Sequence, residues 1–232
     1  MTGDWVIDEL AHAGPEHRDP AFVSGYDRKQ GWPDFSPDVG ALREHGLDSG
    51  STVVDLGAGT GRFALAAARH VRRVVAVEVS PAMLSALRVS VAAAGRTNIE
   101  VVQAGFLSYE QTGSPADAVF TRNALHQLPD FWKAMALDRI AALLRPGGVL
   151  RLHDLIFDFQ PGEAAMVFRQ WMDGAADDPT LGYTGDDYAE HVRTEFSTFR
   201  WLLEPMLSVA GFEIVNSSFR NFVYGAYTCV KR

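Results

Sequence analysis

From Thr52 to about Leu155 the chain alternates short β-branched runs with longer alanine- and leucine-rich stretches, and this alternation leaves few architectures open. "TVVDL", "RVVAVEV", "IEVVQ", "DAVFT" and "GVLRLHDL" read as strands, while "GRFALAAARHV", "PAMLSALRVSVAAAG" and "FWKAMALDRIAALLRPGG" read as helices. Strands separated by helices of this length run parallel, joined by right-handed crossovers that place helices on both faces. Two later runs, "FEIVNSSFR" and "FVYGAYTCVKR", are divided only by a turn near Asn221, which predicts an antiparallel pair on the edge of the sheet.

Local punctuation agrees with the periodicity. Ser80 and Pro81 supply a cap and a first-turn proline for the second helix, and Gly95 closes it. Arg145, Pro146, Gly147 and Gly148 end another helix and turn the chain into the fifth strand. The expectation is one α/β domain, Rossmann-like and doubly wound. It has a seven-stranded, mostly parallel sheet, an antiparallel C-terminal edge hairpin and helical lid additions. Residues 51–155 form the core. Residues 1–50, broken by Pro15, Pro20, Pro33 and Pro37, form an N-terminal helical lid; residues 156–210 form an all-helical insertion, and residues 211–232 the strand pair.

Composition narrows the function. With 232 residues there is room for one good core and a lid. The single cysteine, Cys229, excludes an internal disulfide and a cysteine-based zinc site. A net charge of −8, with no basic cluster denser than Arg69, Arg72 and Arg73, argues against nucleic acid as a partner. No apolar run is long enough for a membrane span. An N-terminus carrying Asp4, Asp8 and Glu9 does not read as a secretion signal, so a cytoplasmic location is expected.

The segment "VVDLGAGTGRF" carries the strongest ligand signal. A strand that ends in a glycine-rich turn and opens a helix lets backbone approach a ligand closely. The dinucleotide fingerprint spaces its glycines as G-x-G-x-x-G and lays a pyrophosphate on the helix end. Here Gly57, Gly59 and Gly61 alternate, and Asp55 precedes them. An acid there repels a pyrophosphate and welcomes a cation, so the spacing points to a nucleoside bearing a positive charge and an amino group. Glu78, ending the second strand, stands where an acid accepts both ribose hydroxyls.

On these residues the chain resembles the class I S-adenosylmethionine-dependent methyltransferases. "VVDLGAGTG" matches the family's first motif, Glu78 its ribose acid, "SPAMLSAL" the following helix and "LLRPGGVL" the turn before the fifth strand. The resemblance implies S-adenosylmethionine as cofactor and S-adenosylhomocysteine as product. It implies Asp55 near the methionine moiety, with Gly57, Ala58, Gly59 and Gly61 passing beneath the methionine and ribose. Val79 and Met83 would pack the adenine. Where the family often has an acid after the third strand, this chain reads Ala104-Gly105-Phe106, so Gly105, Phe106 and Leu107 would hold adenine through backbone and apolar contacts. Asn123 would meet the methionine end of the cofactor.

The chemistry is expected at the ends of the fourth and fifth strands, "TRNALHQLPD" and "RLHDLIFD". The first resembles the "ALHHLPD" segment of small-molecule methyltransferases, not the Asn-Pro-Pro-Tyr type that acts on exocyclic amines of bases or on glutamine. Methyl transfer from a sulfonium needs alignment first and a base only where the nucleophile is protonated. His126, His153 and Asp154 are the candidate bases, with Tyr26 a remote fourth; His126 reads equally as a packing residue, and His153 as one facing a helix. Trp5, Tyr26, Trp32, Phe157, Phe168, Trp171, Tyr188 and other aromatics gather outside the sheet, in the two regions that the resemblance implies cover the cofactor, residues 156–210 shaping the substrate pocket. As a set they favour a small apolar or aromatic acceptor, though singly each reads as docking bulk for the added helices. No metal site is expected. Methyl transfer to a macromolecule, or a non-catalytic cofactor-binding protein on this fold, are the alternatives. A homodimer through the edge strand "FVYGAYTCV" is also open.

Overall fold

The structure, a computed structural model, describes residues 3–232. The chain enters through a short 3-10 turn at Glu16–Arg18, then α1 (Pro20–Lys29) and α2 (Ser36–Glu44). The alternating core follows as β1 (Thr52–Leu56), α3 (Arg62–Ala67), β2 (Arg73–Glu78), α4 (Pro81–Ala93), β3 (Ile99–Gln103) and β4 (Ala116–Arg122). It continues through α5 (Asp130–Leu143) and β5 (Leu144–Phe157). After these come α6 (Ala164–Asp173), α7 (Gly185–Thr194), the two-residue β6 (Thr198–Phe199), α8 (Arg200–Val209), β7 (Phe212–Arg220) and β8 (Tyr224–Lys231). Side-chain caps set several boundaries: Asp19 accepts from the Ala21 amide at 2.9 Å to start α1, and Ser80 from the Met83 amide at 3.3 Å to start α4.

The strands are ordered β3-β2-β1-β4-β5-β8-β7, with β6 added beside β5. β1 through β5 are parallel, and β8 and β7 antiparallel. Sequence order reverses between β1 and β4, which opens a crevice at their carboxyl ends. Neighbouring residues of each strand serve opposite faces. Val54, Val75, Val119 and Leu150 join Leu137 and Ile140 of α5 and Leu203 and Leu207 of α8. Val53, Val74 and Ala118 join Leu42 of α2, Phe63 of α3 and Leu84 and Leu87 of α4. At about 1.5–3 kcal/mol for each fully buried large aliphatic or aromatic side chain, these two layers dominate the stability of the frame.

Two expectations need correction. β8 pairs with β5 on one side and β7 on the other, so "FVYGAYTCV" is internal. The free edge on that side is β7, where Glu213, Asn216, Ser217, Ser218 and Arg220 are exposed, a polar border that discourages strand pairing. Residues 156–210 are also not wholly helical and not wholly a lid. β5 runs on to Phe157, β6 pairs with it at Ile156 and Phe157, and α8 belongs to the core layer beside α5. Most aromatics of this region fill its own interior: Phe157, Phe159 and Trp171 are buried with Val223, and Trp171 stacks on Tyr188 at 4.1 Å. Trp5 likewise stacks on Trp132 at 5.7 Å. Among the described residues, no helix is long and apolar enough to cross a membrane.

Candidate active site

β1 and β2 deliver two carboxylates to the crevice. Asp55 is 2% exposed, and its Oδ2 has no hydrogen-bond partner. Burial pushes its carboxyl well above the ordinary range, and the charge of Glu78 pushes it further. Glu78 accepts from the Gly59 amide through Oε2 and from the Ser80 amide through Oε1, each at 2.8 Å. Burial raises its carboxyl too, against the pull of those backbone donors.

The loop between β1 and α3 is held by its surroundings. The Gly57 and Ala58 amides both donate to the Val77 carbonyl at 3.0 Å. Gly57 has φ +73°, and a Cβ there would meet the Ala124 Cβ at 2.5 Å, which lets the loop after β4 close on it. Gly61, at φ +87°, would drive a Cβ to 2.2 Å from Leu87 Cδ1. Gly61 therefore leaves room for the Leu87 side chain between α3 and α4 and takes a left-handed backbone, and it lines neither lobe.

The crevice is a cleft in two lobes that meet at Tyr26, Gly57, Gly59, Arg122 and Asn123. The larger, of about 660 Å³, is walled by Glu78, Val79, Met83, Gly105, Phe106 and Leu128 from the sheet side and by Glu9, Ala13 and His17 from the N-terminal segment. The smaller, of about 470 Å³, has Pro33, Phe35, Ala58, Phe63 and Phe120 as its apolar wall and Asp27, Gln30, Asp55, Thr60 and Arg62 as its polar one. Thus Asp55, Gly57, Ala58, Gly59, Glu78, Val79, Met83, Gly105, Phe106 and Asn123 gather around one cleft. Asn123 adopts φ +50° as its amide donates to the His153 carbonyl at 3.0 Å.

These residues fit S-adenosylmethionine. The orphaned oxygen of Asp55 calls for a donor, and two buried acids sharing a cleft call for a cation. Each Glu78 oxygen has one backbone donor and keeps acceptor capacity for a sugar hydroxyl. Val79, Met83, Phe106 and Leu128 give the larger lobe apolar walls for a flat heterocycle.

None of the three expected bases lines either lobe. His126 is 5% exposed and bound at both ring nitrogens, Nδ1 to Asp154 and Nε2 to Glu195 at 2.9 Å. Burial works against its charge, but the two carboxylates prevail and its pKa is pushed up to about 10, so it is a bound cation rather than a base. Asp154 accepts from the His126 ring, from the His126 amide at 3.0 Å and from the Leu155 amide at 2.8 Å. His153 points to α2, its Nε2 lying 2.6 Å from Asp38 Oδ1, which Arg151 also engages. The chain of contacts continues from Glu195 to His191 Nδ1 at 2.7 Å and from His191 Nε2 to Ser197 at 2.7 Å. His126, His191 and Glu195 bring their ligating atoms within 4.8 Å of one another, and the ion-pair chain engages all of them.

Sequence reasoning missed Glu9, His17, Arg122 and Gln127 as cleft residues. Gln127 and Arg122 lie inside the quoted segment that begins at the end of β4 and were within reach. Glu9 and His17 come from the proline-broken N-terminal segment, where no periodicity announces which residue will meet the sheet.

Residues 53–148 match a family described as a methyltransferase domain. An uncharacterized methyltransferase of Anoxybacillus flavithermus is 27% identical over 176 residues, 76% of each chain. A carboxy-S-adenosyl-L-methionine synthase of Vibrio campbellii is 30% identical over 158 residues, which make up 66% of this chain and 61% of that one. Among solved structures, the magnesium protoporphyrin IX methyltransferase of Synechocystis with bound SAM is similar with a TM-score of 0.66. At 14% identity, over 99% of this chain and 100% of that one, this is a likeness of fold.

Proposed function

Because the chain belongs to the class I S-adenosylmethionine-dependent methyltransferases, we propose that its acceptor is a small, largely apolar or aromatic molecule methylated at oxygen, nitrogen or carbon in the smaller lobe. The observation that carries this reading is the wall of that lobe: Pro33, Phe35, Phe63 and Phe120 face the same space as Tyr26 and the glycine loop. S-adenosylmethionine supplies the electrophilic methyl group when bound.

The residues of the chain then have distinct tasks. Asp55 and Glu78 hold the cationic, hydroxyl-bearing ligand. Arg122 makes no ion pair among the described residues and sits where the lobes meet, its guanidinium 5.2 Å from the Phe35 ring centroid. It is suited to a carboxylate, such as that of the methionine end. The aromatic wall aligns the acceptor and excludes water. With His126, His153 and Asp154 committed elsewhere, rate enhancement comes mainly from alignment. The test is a screen of small aromatic and aliphatic acceptors with S-adenosylmethionine, reading S-adenosylhomocysteine and product mass. Turnover confined to peptide or RNA acceptors would overturn the reading.

A further inference from the structure

Gly105 ends the stretch after β3 on the wall of the larger lobe, and the space its side chain would fill is already taken. A Cβ at Gly105 would lie 2.4 Å from Glu9 Oε1 and 2.7 Å from Glu9 Oε2. The carboxylate of an N-terminal residue thus occupies the space in which a side chain at position 105 would begin.

Its other contacts fix it there. Glu9 Oε1 accepts from the Leu107 amide at 2.9 Å, and Oε2 from the Ser108 hydroxyl at 2.8 Å. The Ser108 hydroxyl in turn accepts from the Gly105 amide at 2.8 Å, so one carboxylate closes the whole loop. A carboxylate has about four acceptor positions, and two are used here. Glu9 also lines the lobe, whose one other acid is Glu78. Val79, Met83 and Phe106 of the same lobe offer apolar surface to a base; its other side-chain acceptors are His17, Gln127, whose amide nitrogen donates to Glu195, and Tyr26 and Asn123 where the two lobes meet.

We propose that Glu9 is the residue that recognises the adenine amino group, supplied by the N-terminal segment in place of a side chain at position 105. Cofactor recognition and docking of that segment are then one event, because the acceptor exists in the lobe only while the segment lies against the loop after β3. A side chain at position 105 would displace the Glu9 carboxylate from this place.

The test is calorimetric titration with S-adenosylhomocysteine and with S-inosylhomocysteine, whose base presents a carbonyl oxygen where adenine has its amine. The wild-type protein should prefer the adenine ligand by about tenfold or more, the scale of a hydrogen bond to a charged acceptor. Glu9→Gln should reduce that preference to within about threefold, because a side-chain amide serves either base edge. Glu9→Ala combined with Gly105→Asp should restore it, whereas Gly105→Asp alone should weaken both ligands. Glu78→Gln should weaken both ligands while leaving their ratio as in the wild type. An unchanged ratio in Glu9→Gln, or equal binding of the two ligands by the wild type, overturns the proposal. Failure of the cofactor assignment itself would look different, as no binding of either ligand by any of these proteins.

Discussion

Asp55 and Glu78 show how the cleft is prepared for its ligand. Each carboxylate is buried, each is raised by burial, and Asp55 has an oxygen without a donor. A raised carboxyl pKa stabilises the folded chain fully only below the unfolded value of about 4. That contribution is lost as pH rises through the raised value. A cationic ligand reverses the balance, since it favours the ionised acid. The ligand-free protein should therefore lose thermal stability from about pH 4 upward, and the increase in Tm caused by S-adenosylmethionine should grow over the same range. Asp55→Asn should flatten both slopes; wild-type and variant curves that run parallel would refute the account. For Glu78→Gln, loss of charge-assisted hydrogen bonds worth about 1.5–3 kcal/mol should weaken S-adenosylhomocysteine binding tenfold or more. Unchanged affinity in a titration would remove Glu78 from the site.

At the scale of elements, the ion-pair chain Asp154–His126–Glu195–His191, buried at its first two members, fastens the end of α7 to the turn after β4. Gln127 also donates to Glu195 at 3.1 Å and lines the larger lobe, so this fastening sets the cleft wall. The contribution of His126 is complete below the unfolded histidine value of about 6.5 and is lost as pH rises through about 10. Glu195, held below its ordinary range by His126 and His191 despite burial, contributes above the usual carboxylate value and is lost only in acid. Limited proteolysis between α6 and β6 should therefore stay slow across neutral pH and accelerate towards pH 10. Glu195→Gln leaves His126 with only one of its two carboxylates and should cost about 1.5–3 kcal/mol, the scale of a hydrogen bond between charged groups, roughly 3 to 12 °C in Tm for a chain of this size. A variant that melts with the wild type would show the chain to be incidental. None of this was legible beforehand: His126 was visible as a histidine in a loop, but its partners come from α7 and β5, and pairing between distant elements has no local signature. The glycine loop, Glu78 and the alternation of β1 through β5 were legible because each is fixed by periodicity or by backbone geometry within one crossover. The position of β8 between β5 and β7 was not, because a hairpin's sequence does not say which of its strands will face the sheet.

Across the whole molecule, the two additions outside the sheet meet through α1. Lys29 pairs with Asp187 at 3.1 Å, Gln30 donates to the Tyr183 hydroxyl at 2.7 Å, and Arg28 donates to the Thr180 carbonyl at 3.0 Å. Ahead of α2, residues 9–30 are tied to the core by several single polar contacts: Thr60 to Asp27 at 2.6 Å, the Ser80 hydroxyl to the His17 carbonyl at 2.7 Å, and Glu9 to the loop after β3. Val23 is the one buried residue of α1. Joints of this kind contribute about 0.5–1.5 kcal/mol each, far less than the apolar layers on the sheet, so these segments should open well below the free energy of global unfolding. A ligand in the cleft would touch the N-terminal segment and the sheet side but not residues 178–195, which it reaches only through α1, and it adds about 2.7 kcal/mol at a hundredfold excess over Kd. Hydrogen exchange with and without S-adenosylhomocysteine should accordingly show protection rising in residues 9–30 and 178–195, while amides in the middle of β2 and β5 hold still. Protection confined to the glycine loop would mean that the segments over the cleft close without reference to the cofactor, and the cleft would then be open or shut on the acceptor's account alone.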